Sequence, residues 1–141
     1  ELVAAKNRGI DVRVIIDATS APNGYSKHQY LRENGISLKV EDWGGKMHMK
    51  SAIIDGKHLI LGSMNWTSAG ESKNDENTLI IRNARDAKNY QEFFNLLWSS
   101  IDEKWLWEDP LPESPNSHSS CNDTIDNDFD KLIDLNDRDC S

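Results

Sequence analysis

Short apolar runs separated by polar turns fill the first third of the chain, and their spacing predicts alternating helices and strands. Gly9 and Gly35 each follow a helical pattern, in the position of a C-terminal cap. The β-branched run that begins at Val12 predicts a strand buried on both faces. The predicted elements are helices over 2–8 and 25–34 and strands over 12–17 and 37–40.

The middle of the chain predicts three more strands and a long helix. Asp55-Gly56 is a strong tight-turn pair between two of these strands, and Asn83 is placed to cap the helix. The predicted strands cover 49–54, 58–61 and 77–82. The apolar face of the helix is formed by Tyr90, Phe93, Phe94, Leu97, Trp98, Ile101 and Trp105.

This mixture predicts an α/β fold, an α-β-α sandwich with a mixed central sheet. The chain opens on Glu1, in the middle of a helical pattern. We therefore expect the domain to be N-terminally truncated, lacking at least one strand.

Charge is distributed unevenly along the 141 residues, which carry 16 Lys and Arg against 24 Asp and Glu, a net charge of −8. Such acidity argues at first against a nucleic-acid partner. Eight acidic but only two basic residues follow residue 109, however, so the body is nearly neutral. We expect a catalytic domain over 1–109, a Pro/Ser-rich linker over 110–120 and an acidic appendix over 121–141.

His48 and Lys50 are two residues apart at the start of a predicted strand, so their side chains point to the same side. A histidine beside an ammonium group suits attack on a phosphoryl group, because lysine neutralises oxygens while histidine acts as nucleophile or proton carrier. Asp55 follows at the turn. The pair alone is more simply explained as a solvated strand.

The polar residues that follow in the sequence favour a catalytic site over a solvated strand. Ser63 and Asn65 follow the second strand and offer a hydroxyl and an amide on one side. A polar cluster, Asn74-Asp75-Glu76-Asn77, precedes the next strand, where a carboxylate is able to orient a histidine. Each piece alone fits turn chemistry, but the ordered set does not.

The ordered set, HMKSAIID, then GSMN, then NDEN, resembles the phospholipase D superfamily over roughly residues 1–107. It is most similar to the small single-motif bacterial endonucleases of that superfamily. The resemblance implies metal-independent cleavage of a phosphodiester in two steps, through a phosphohistidine on His48. It also implies that Lys50 and Asn65 hold phosphate oxygens, that Ser63 assists and that Glu76 orients His48; Asp55 is more simply structural.

The family needs two copies of the motif, and this chain carries one. We expect a homodimer with the active site across its interface, or else a second motif lost upstream. The other histidines, His28, His58 and His118, are expected to be structural, at the surface or inert.

The substrate stays open between nucleic acid and phospholipid, the second through hydrolysis or transphosphatidylation, and an inactive scaffold on the same fold is a further alternative. We favour a nuclease, because no long basic amphipathic helix suggests lipid insertion. Trp43 and Trp66 are candidates for base stacking, although packing is their simpler role. Local attraction for phosphate is expected from Lys39, Lys46, Lys50 and Lys57.

The appendix places oxygen ligands at the spacing of a calcium loop. It also resembles the cysteine-bounded Asp-rich repeats of secreted bacterial proteins, which usually have glycine where this chain has Thr124, Phe129 and Lys131. A disordered acidic tail is the alternative. The expected ligands of a structural Ca²⁺ are Asp126, Asp128, Asp130, Leu132, Asp134 and Asp137.

Cys121 and Cys140 are the two cysteines of the chain. They predict one disulfide that closes the appendix, which contributes roughly 3 kcal/mol by the chain-entropy estimate. Disulfides persist in oxidising compartments, so we expect a secreted or periplasmic protein.

Overall fold

The computed structural model describes residues 1–43, 46–117, 120–128 and 130–141, and it confirms the α/β class. The chain divides into two compact units, which are described separately. The first unit joins Glu1–Met47 to Ile101–Ser141, and the second is His48–Ser100. His118, expected to be inert, lies outside the described residues.

The described part of the first unit has two α-helices and two strands, close to the predicted positions. The helices are α1 (Leu2–Asn7) and α2 (His28–Glu33), and the strands are β1 (Arg13–Ile16) and β2 (Ser37–Val40). Short 3-10 helices cover Ala18–Ser20, Glu103–Leu106 and Asp134–Asn136.

β1 and β2 pair in parallel, with Arg13 opposite Ser37 and Ile16 opposite Val40. Leu38 and Val40 of β2 are fully buried in the small core of this unit. β1 is only half-buried, not buried on both faces as expected. Within the described residues it pairs with β2 alone, so one of its edges has no strand against it.

β2 also carries a buried charge. The Lys39 side chain is fully buried, and its Nζ donates to the carbonyl of Ile101 (2.7 Å) and to the Glu103 carboxylate (2.6 Å). This lysine therefore ties β2 to the 3-10 helix at 103–106 and is not available to attract phosphate.

The C-terminal segment is closed by the predicted disulfide between Cys121 and Cys140, whose Cα atoms are 5.6 Å apart. Glu113, in the stretch expected to be an extended linker, is fully buried. Its carboxylate accepts hydrogen bonds from the backbone N–H groups of Asn127 (2.7 Å) and Asp134 (2.6 Å). These bonds fasten residue 113 to the disulfide-closed loop, whereas the division into three domains stays a prediction.

The second unit is a three-stranded antiparallel sheet with two helices. The strands are β3 (Ser51–Ile54), β4 (His58–Gly62) and β5 (Thr78–Arg82), in the order β3-β4-β5. The helices are α3 (Ser68–Ser72) and α4 (Ala84–Ser100). α3 was not predicted.

α4 begins as predicted, because Oδ1 of Asn83 accepts from the backbone N–H of Arg85 at 2.9 Å. It ends at Ser100, so the expectation that Ile101 and Trp105 continue its apolar face is wrong. Asp102 starts a new 3-10 helix by accepting from the N–H of Lys104 (2.9 Å). No helix among the described residues has the length and apolar character needed to cross a bilayer.

Candidate active site

The three motif segments of the sequence meet at one end of the antiparallel sheet in the second unit. Ser51 at the start of β3 pairs with Leu61 near the end of β4. Gly62 at the end of β4 pairs with Thr78 at the start of β5. Residues just before β3, just after β4 and just before β5 therefore lie at the same end, which we call the motif end. The predicted site residues found there are His48, Lys50, Ser63, Asn65 and Glu76.

His48 and Lys50 lie in the extended segment that leads into β3. Nζ of Lys50 donates to the backbone carbonyl of His48 at 2.8 Å, and this bond holds the ammonium group beside the histidine residue. His48 is exposed, and Lys50 is half-buried. An accessible imidazole with a cation held next to it suits attack on an anionic phosphoryl group.

Ser63, Asn74 and Glu76 form a hydrogen-bonded group between β4 and β5. The Ser63 hydroxyl donates to Oε2 of Glu76 (2.5 Å), and the Asn74 side chain donates to Oε1 (3.1 Å). The bond from Ser63 lowers the pKa of Glu76 most, followed by the bond from Asn74, and the positive charge of Lys50 also lowers it. Among the described hydrogen bonds none joins Glu76 to His48, so its role in orienting that histidine stays a prediction.

The backbones of β4 and β5 approach closely beside this group. The N–H of Ser63 donates to the carbonyl of Asn77 (3.1 Å), and the N–H of Asn77 donates back to the Ser63 hydroxyl (3.1 Å). A Cβ added at Gly62 would lie 2.2 Å from the carbonyl oxygen of Asn77. Gly62 is thus required by the site. Its position inside a strand pattern was the signal, since glycine there marks a close backbone approach.

Asn65 is held through its backbone by the turn that starts α3. Its carbonyl accepts from the N–H of Thr67 at 2.7 Å, and the Thr67 hydroxyl caps α3 by accepting from the N–H of Gly70 (3.1 Å). Gly70 is buried, and a Cβ there would lie 2.2 Å from the Asn65 carbonyl oxygen. The Asn65 side chain is exposed at the motif end, where its amide is free to meet a ligand.

Asp55 lies at the opposite end of the β3–β4 hairpin. It has φ of 55° and is followed by Gly56 with φ of 60°, and the N–H of Lys57 donates to the carbonyl of Ile54 (3.0 Å). Positive φ at two successive residues belongs to a tight hairpin turn. This geometry gives Asp55 a place in the turn rather than among the groups of the motif end.

The four lysines expected around the site are divided between the two units. Lys39 is buried in the first unit, to which Lys46 also belongs. Within the second unit, Lys50 lies at the motif end and Lys57 lies in the turn opposite it.

The other histidines and tryptophans have distinct surroundings. His28 is buried, and its ring nitrogens contact the Ser26 hydroxyl and the Asp109 carboxylate, each at 2.8 Å. His58 begins β4 opposite Arg82. Trp43 is half-buried, but Trp66 is 59% exposed directly after Asn65, so packing in the core of this chain does not explain Trp66.

The predicted calcium ligands are brought together only in part. One oxygen from each member of two acidic groups lies within 4.8 Å of the others in its group. The first group includes Glu113, which the sequence spacing did not indicate. Asp134 belongs to neither group, and its carboxylate accepts from the N–H of Thr124 (3.2 and 3.3 Å). The groups are Glu113, Asp126 and Asp128, and Asp128, Asp130 and Asp137.

This chain is similar in sequence to a known protein family and to several characterised proteins. Residues 1–98 match a family model described as cardiolipin synthase, PLD-like domain. The chain is 36% identical over 110 residues to the mitochondrial cardiolipin hydrolase of Xenopus tropicalis, covering 78% of this chain and 51% of that protein. It is 35% identical over 89 residues to a phospholipase D of Rickettsia conorii, covering 63% of this chain and 44% of that protein.

Among solved structures, the chain is similar to Nuc, a phospholipase D family member from Salmonella typhimurium. The TM-score is 0.65 with 33% sequence identity, covering 72% of this chain and 68% of that chain. The chain spans about half the length of the curated relatives it matches.

Proposed function

We propose a function from one premise, which is that the chain belongs to the phospholipase D superfamily. The proposed activity is metal-independent hydrolysis of phosphodiester bonds. The observation that carries the proposal is the convergence of His48, Lys50, Ser63, Asn65 and Glu76 at the motif end, although they come from three separate stretches of the sequence.

The proposed reaction has two steps. A ring nitrogen of His48 attacks phosphorus, a P–N bond forms, and the bond to the leaving oxygen breaks. A histidine from a second copy of the motif gives that oxygen a proton. The same histidine then takes a proton from water, whose oxygen attacks phosphorus and releases His48. Lys50 and Asn65 stabilise the charge on the phosphoryl oxygens in both steps.

The second histidine is proposed to come from a second copy of this chain, with the active site across a two-fold interface. A second motif elsewhere in a longer polypeptide is the alternative. In a dimer, activity per chain falls on dilution below the dissociation constant, and light scattering reports the change in mass. Activity per chain that is independent of dilution, at the mass of a single chain, would contradict the dimer.

Nucleic acid is the proposed substrate, and Trp66 is the observation that supports it. Its indole is 59% exposed and follows the Ser63-x-Asn65 pair directly in the sequence. Stacking on an aromatic side chain contributes about 1–3 kcal/mol per base and tolerates any sequence. An exposed aromatic ring beside a phosphate-binding pair suits a nucleic-acid strand.

A phospholipid is the second candidate substrate, through hydrolysis or transphosphatidylation. It is favoured by the relatives named as a cardiolipin hydrolase and a phospholipase D. The experiment that separates the candidates offers the full chain, in EDTA, both plasmid and single-stranded DNA and vesicles of cardiolipin or phosphatidylcholine. We expect cleavage of DNA, abolished in His48→Ala and kept in His58→Ala.

Release of lipid products without DNA cleavage would establish the phospholipid alternative. Inactivity on both substrates would favour a scaffold that has lost catalysis. The variant Trp66→Ala tests whether the indole stacks on a base of the substrate. We expect KM for DNA to rise about tenfold with kcat nearly unchanged. The matched control is Trp107→Ala, since Trp107 is 79% exposed and lies in the other unit.

We also propose that the protein works in an oxidising compartment, as a secreted or periplasmic protein. The Cys121–Cys140 disulfide supports this location, because such bonds persist mainly outside the reducing cytosol. Fractionation of the native source, with thiols blocked before lysis, tests it. Recovery of the reduced chain from the cytosol would contradict the location.

A further inference from the structure

A buried oxygen without a partner marks the acidic loop near the C-terminus. Asp137 is only 3% exposed. Its Oδ1 accepts from the N–H of Asp139 (2.7 Å), whereas its Oδ2 has no hydrogen-bond partner within the described residues. Burying an unpaired carboxylate oxygen costs free energy, because the oxygen loses its hydrogen bonds to water and forms none within the protein. A ligand at Oδ2 would remove that cost.

Two other carboxylates lie close to that of Asp137. One oxygen from each of Asp128, Asp130 and Asp137 lies within 4.8 Å of the other two. Asp128 and Asp130 are oriented in the same way as Asp137, each by a backbone N–H at Oδ1. Those donors belong to Asp130 (3.0 Å) and Leu132 (2.7 Å) respectively. The backbone therefore fixes all three carboxylate groups before any ligand arrives.

The three groups repel one another when ionised. No lysine or arginine is described in an ion pair with any of these carboxylates. A positive ion at their centre would neutralise this repulsion.

We propose that Asp128, Asp130 and Asp137 bind one divalent cation of the calcium class, with the buried Oδ2 of Asp137 as a ligand. The donor set consists of oxygen atoms alone, because both cysteines are joined in the disulfide. Such a set selects Ca²⁺ or Mg²⁺ over zinc. Ca²⁺ is the better fit, since it takes six to eight oxygen ligands in irregular geometry and draws the rest from water or carbonyl groups.

This ligand set differs from the one that the sequence spacing gave. Asp134 is engaged with Thr124 instead. Glu113 uses both carboxylate oxygens to hold the backbone at Asn127 and Asp134, so it supports the fold of the loop. The cation would connect Asp128 and Asp130 to Asp137 inside the disulfide-closed loop, and its role is to stabilise that loop, independently of the proposed catalysis.

The test is calorimetric titration of the full chain, freed of metal with EDTA and dialysed, with CaCl₂ and in parallel with MgCl₂. We expect one Ca²⁺ per chain, weaker Mg²⁺ binding and a Ca²⁺-dependent rise in the melting temperature. Asp137→Asn should weaken Ca²⁺ binding at least tenfold. Asp139→Asn is the matched control, because it removes the same charge from an exposed position in the same loop, and its affinity should stay within about twofold.

Asp130→Asn keeps the proposal testable if Asp137→Asn fails to fold, because Asp130 is exposed and its replacement leaves no buried gap. It too should weaken Ca²⁺ binding at least tenfold. The proposal is overturned if the unaltered chain binds no Ca²⁺ at millimolar concentration. It is also overturned if Asp139→Asn loses as much affinity as the ligand variants, since that result means general attraction to an acidic loop. Tighter binding of Mg²⁺ than of Ca²⁺ would contradict the choice of ion.

Discussion

The Ser63 hydroxyl donates a 2.5 Å hydrogen bond to the carboxylate of Glu76 and at the same time accepts one from the backbone N–H of Asn77 at 3.1 Å. One side chain therefore joins the end of β4 to the residues that start β5. This arrangement holds the Ser63-x-Asn65 pair in place relative to the rest of the motif end. In this structure the most direct partner of the Glu76 carboxylate is Ser63 and not His48.

Removing the Glu76 carboxylate should therefore impair catalysis by releasing Ser63. We expect Glu76→Ala to lower kcat about tenfold to a hundredfold, because small displacements of phosphate-binding groups are costly in the transition state. The matched control is Asp75→Ala, which removes the same charge from an exposed neighbouring position. Steady-state kinetics on the preferred substrate measures both variants, and an equal loss in the two would contradict the role of the Ser63–Glu76 bond.

The dependence of activity on pH at the acid side should also reflect the hydrogen bond between Ser63 and Glu76. The pKa of Glu76 lies below its ordinary value of 4.5, mainly because the Ser63 hydroxyl donates to the ionised form. The bond to the carboxylate is then fully present above pH 4.5 and is lost only as the pH falls through the lowered pKa. Between pH 5 and 8 we expect any loss of activity to come from groups other than Glu76.

Gly62→Ala should destabilise the second unit. The added methyl group would lie 2.2 Å from the backbone oxygen of Asn77, so β4 and β5 must move apart. We expect the free energy of unfolding to fall by about 1–3 kcal/mol, as for other overpacked sites. The control is Gly24→Ala, where the added Cβ meets nothing within 4 Å. Urea denaturation followed by far-UV circular dichroism makes the comparison, and equal stability of the two variants would show that the strands adapt.

The motif end was predictable from the sequence because its residues adjoin strand ends. Alternation and turn signals located β3, β4 and β5, and antiparallel pairing then brings His48, Ser63 and Glu76 to the same end of the sheet. A glycine inside a strand pattern signals the close approach at Gly62, but that local pattern does not show that the carbonyl of Asn77 is the group approached.

Other features were missed because they depend on distant partners. Lys39 is expected at a surface on composition alone, but it is buried because Glu103 and the carbonyl of Ile101 satisfy it. α4 ends at Ser100, but the apolar residues keep a helical spacing as far as Trp105, which lies in the next 3-10 helix. The spacing of apolar residues therefore does not show where one helix ends and the next begins. Glu113 was assigned to a linker because its partners lie 14 and 21 residues further along the chain.

Glu41 should make stability depend on pH. This carboxyl is 1% exposed, and burial raises its pKa to about 7, against the lowering effect of hydrogen bonds from the N–H groups of Ala18 and Trp43. A raised pKa for an acid means that the folded state holds the proton more tightly than the unfolded state. Stability should therefore fall as the pH rises from about 4.5 to about 7, by an amount on the order of 3 kcal/mol, and then level off.

The measurement for Glu41 is the free energy of unfolding at a series of pH values between 4.5 and 8.5. Glu41→Gln cannot ionise, so the difference between the unaltered chain and this variant should shift steadily in favour of the variant up to about pH 7. Comparing how the free energy of unfolding changes with pH in the two proteins cancels the contribution of the other titrating groups. It also cancels any pH-independent loss of stability from the changed hydrogen bonds. A difference that does not vary with pH would mean that Glu41 titrates normally.

Thr124 adopts φ of 63°, in the left-handed region that β-branched residues avoid. The cysteine-bounded repeats that this loop resembles usually have glycine at the position of Thr124. They usually have glycine at the position of Lys131 too, and Lys131 has φ of 81°. Placing a residue with a Cβ in this region costs roughly 1–2 kcal/mol. We expect Thr124→Gly to be more stable than Thr124→Ala by about 1 kcal/mol, because alanine keeps the Cβ and glycine removes it. Hydrogen exchange of the amides between Cys121 and Cys140 measures the effect locally, with stronger protection expected in the glycine variant. Equal protection in the two variants would mean that the loop relaxes into an ordinary conformation at no cost.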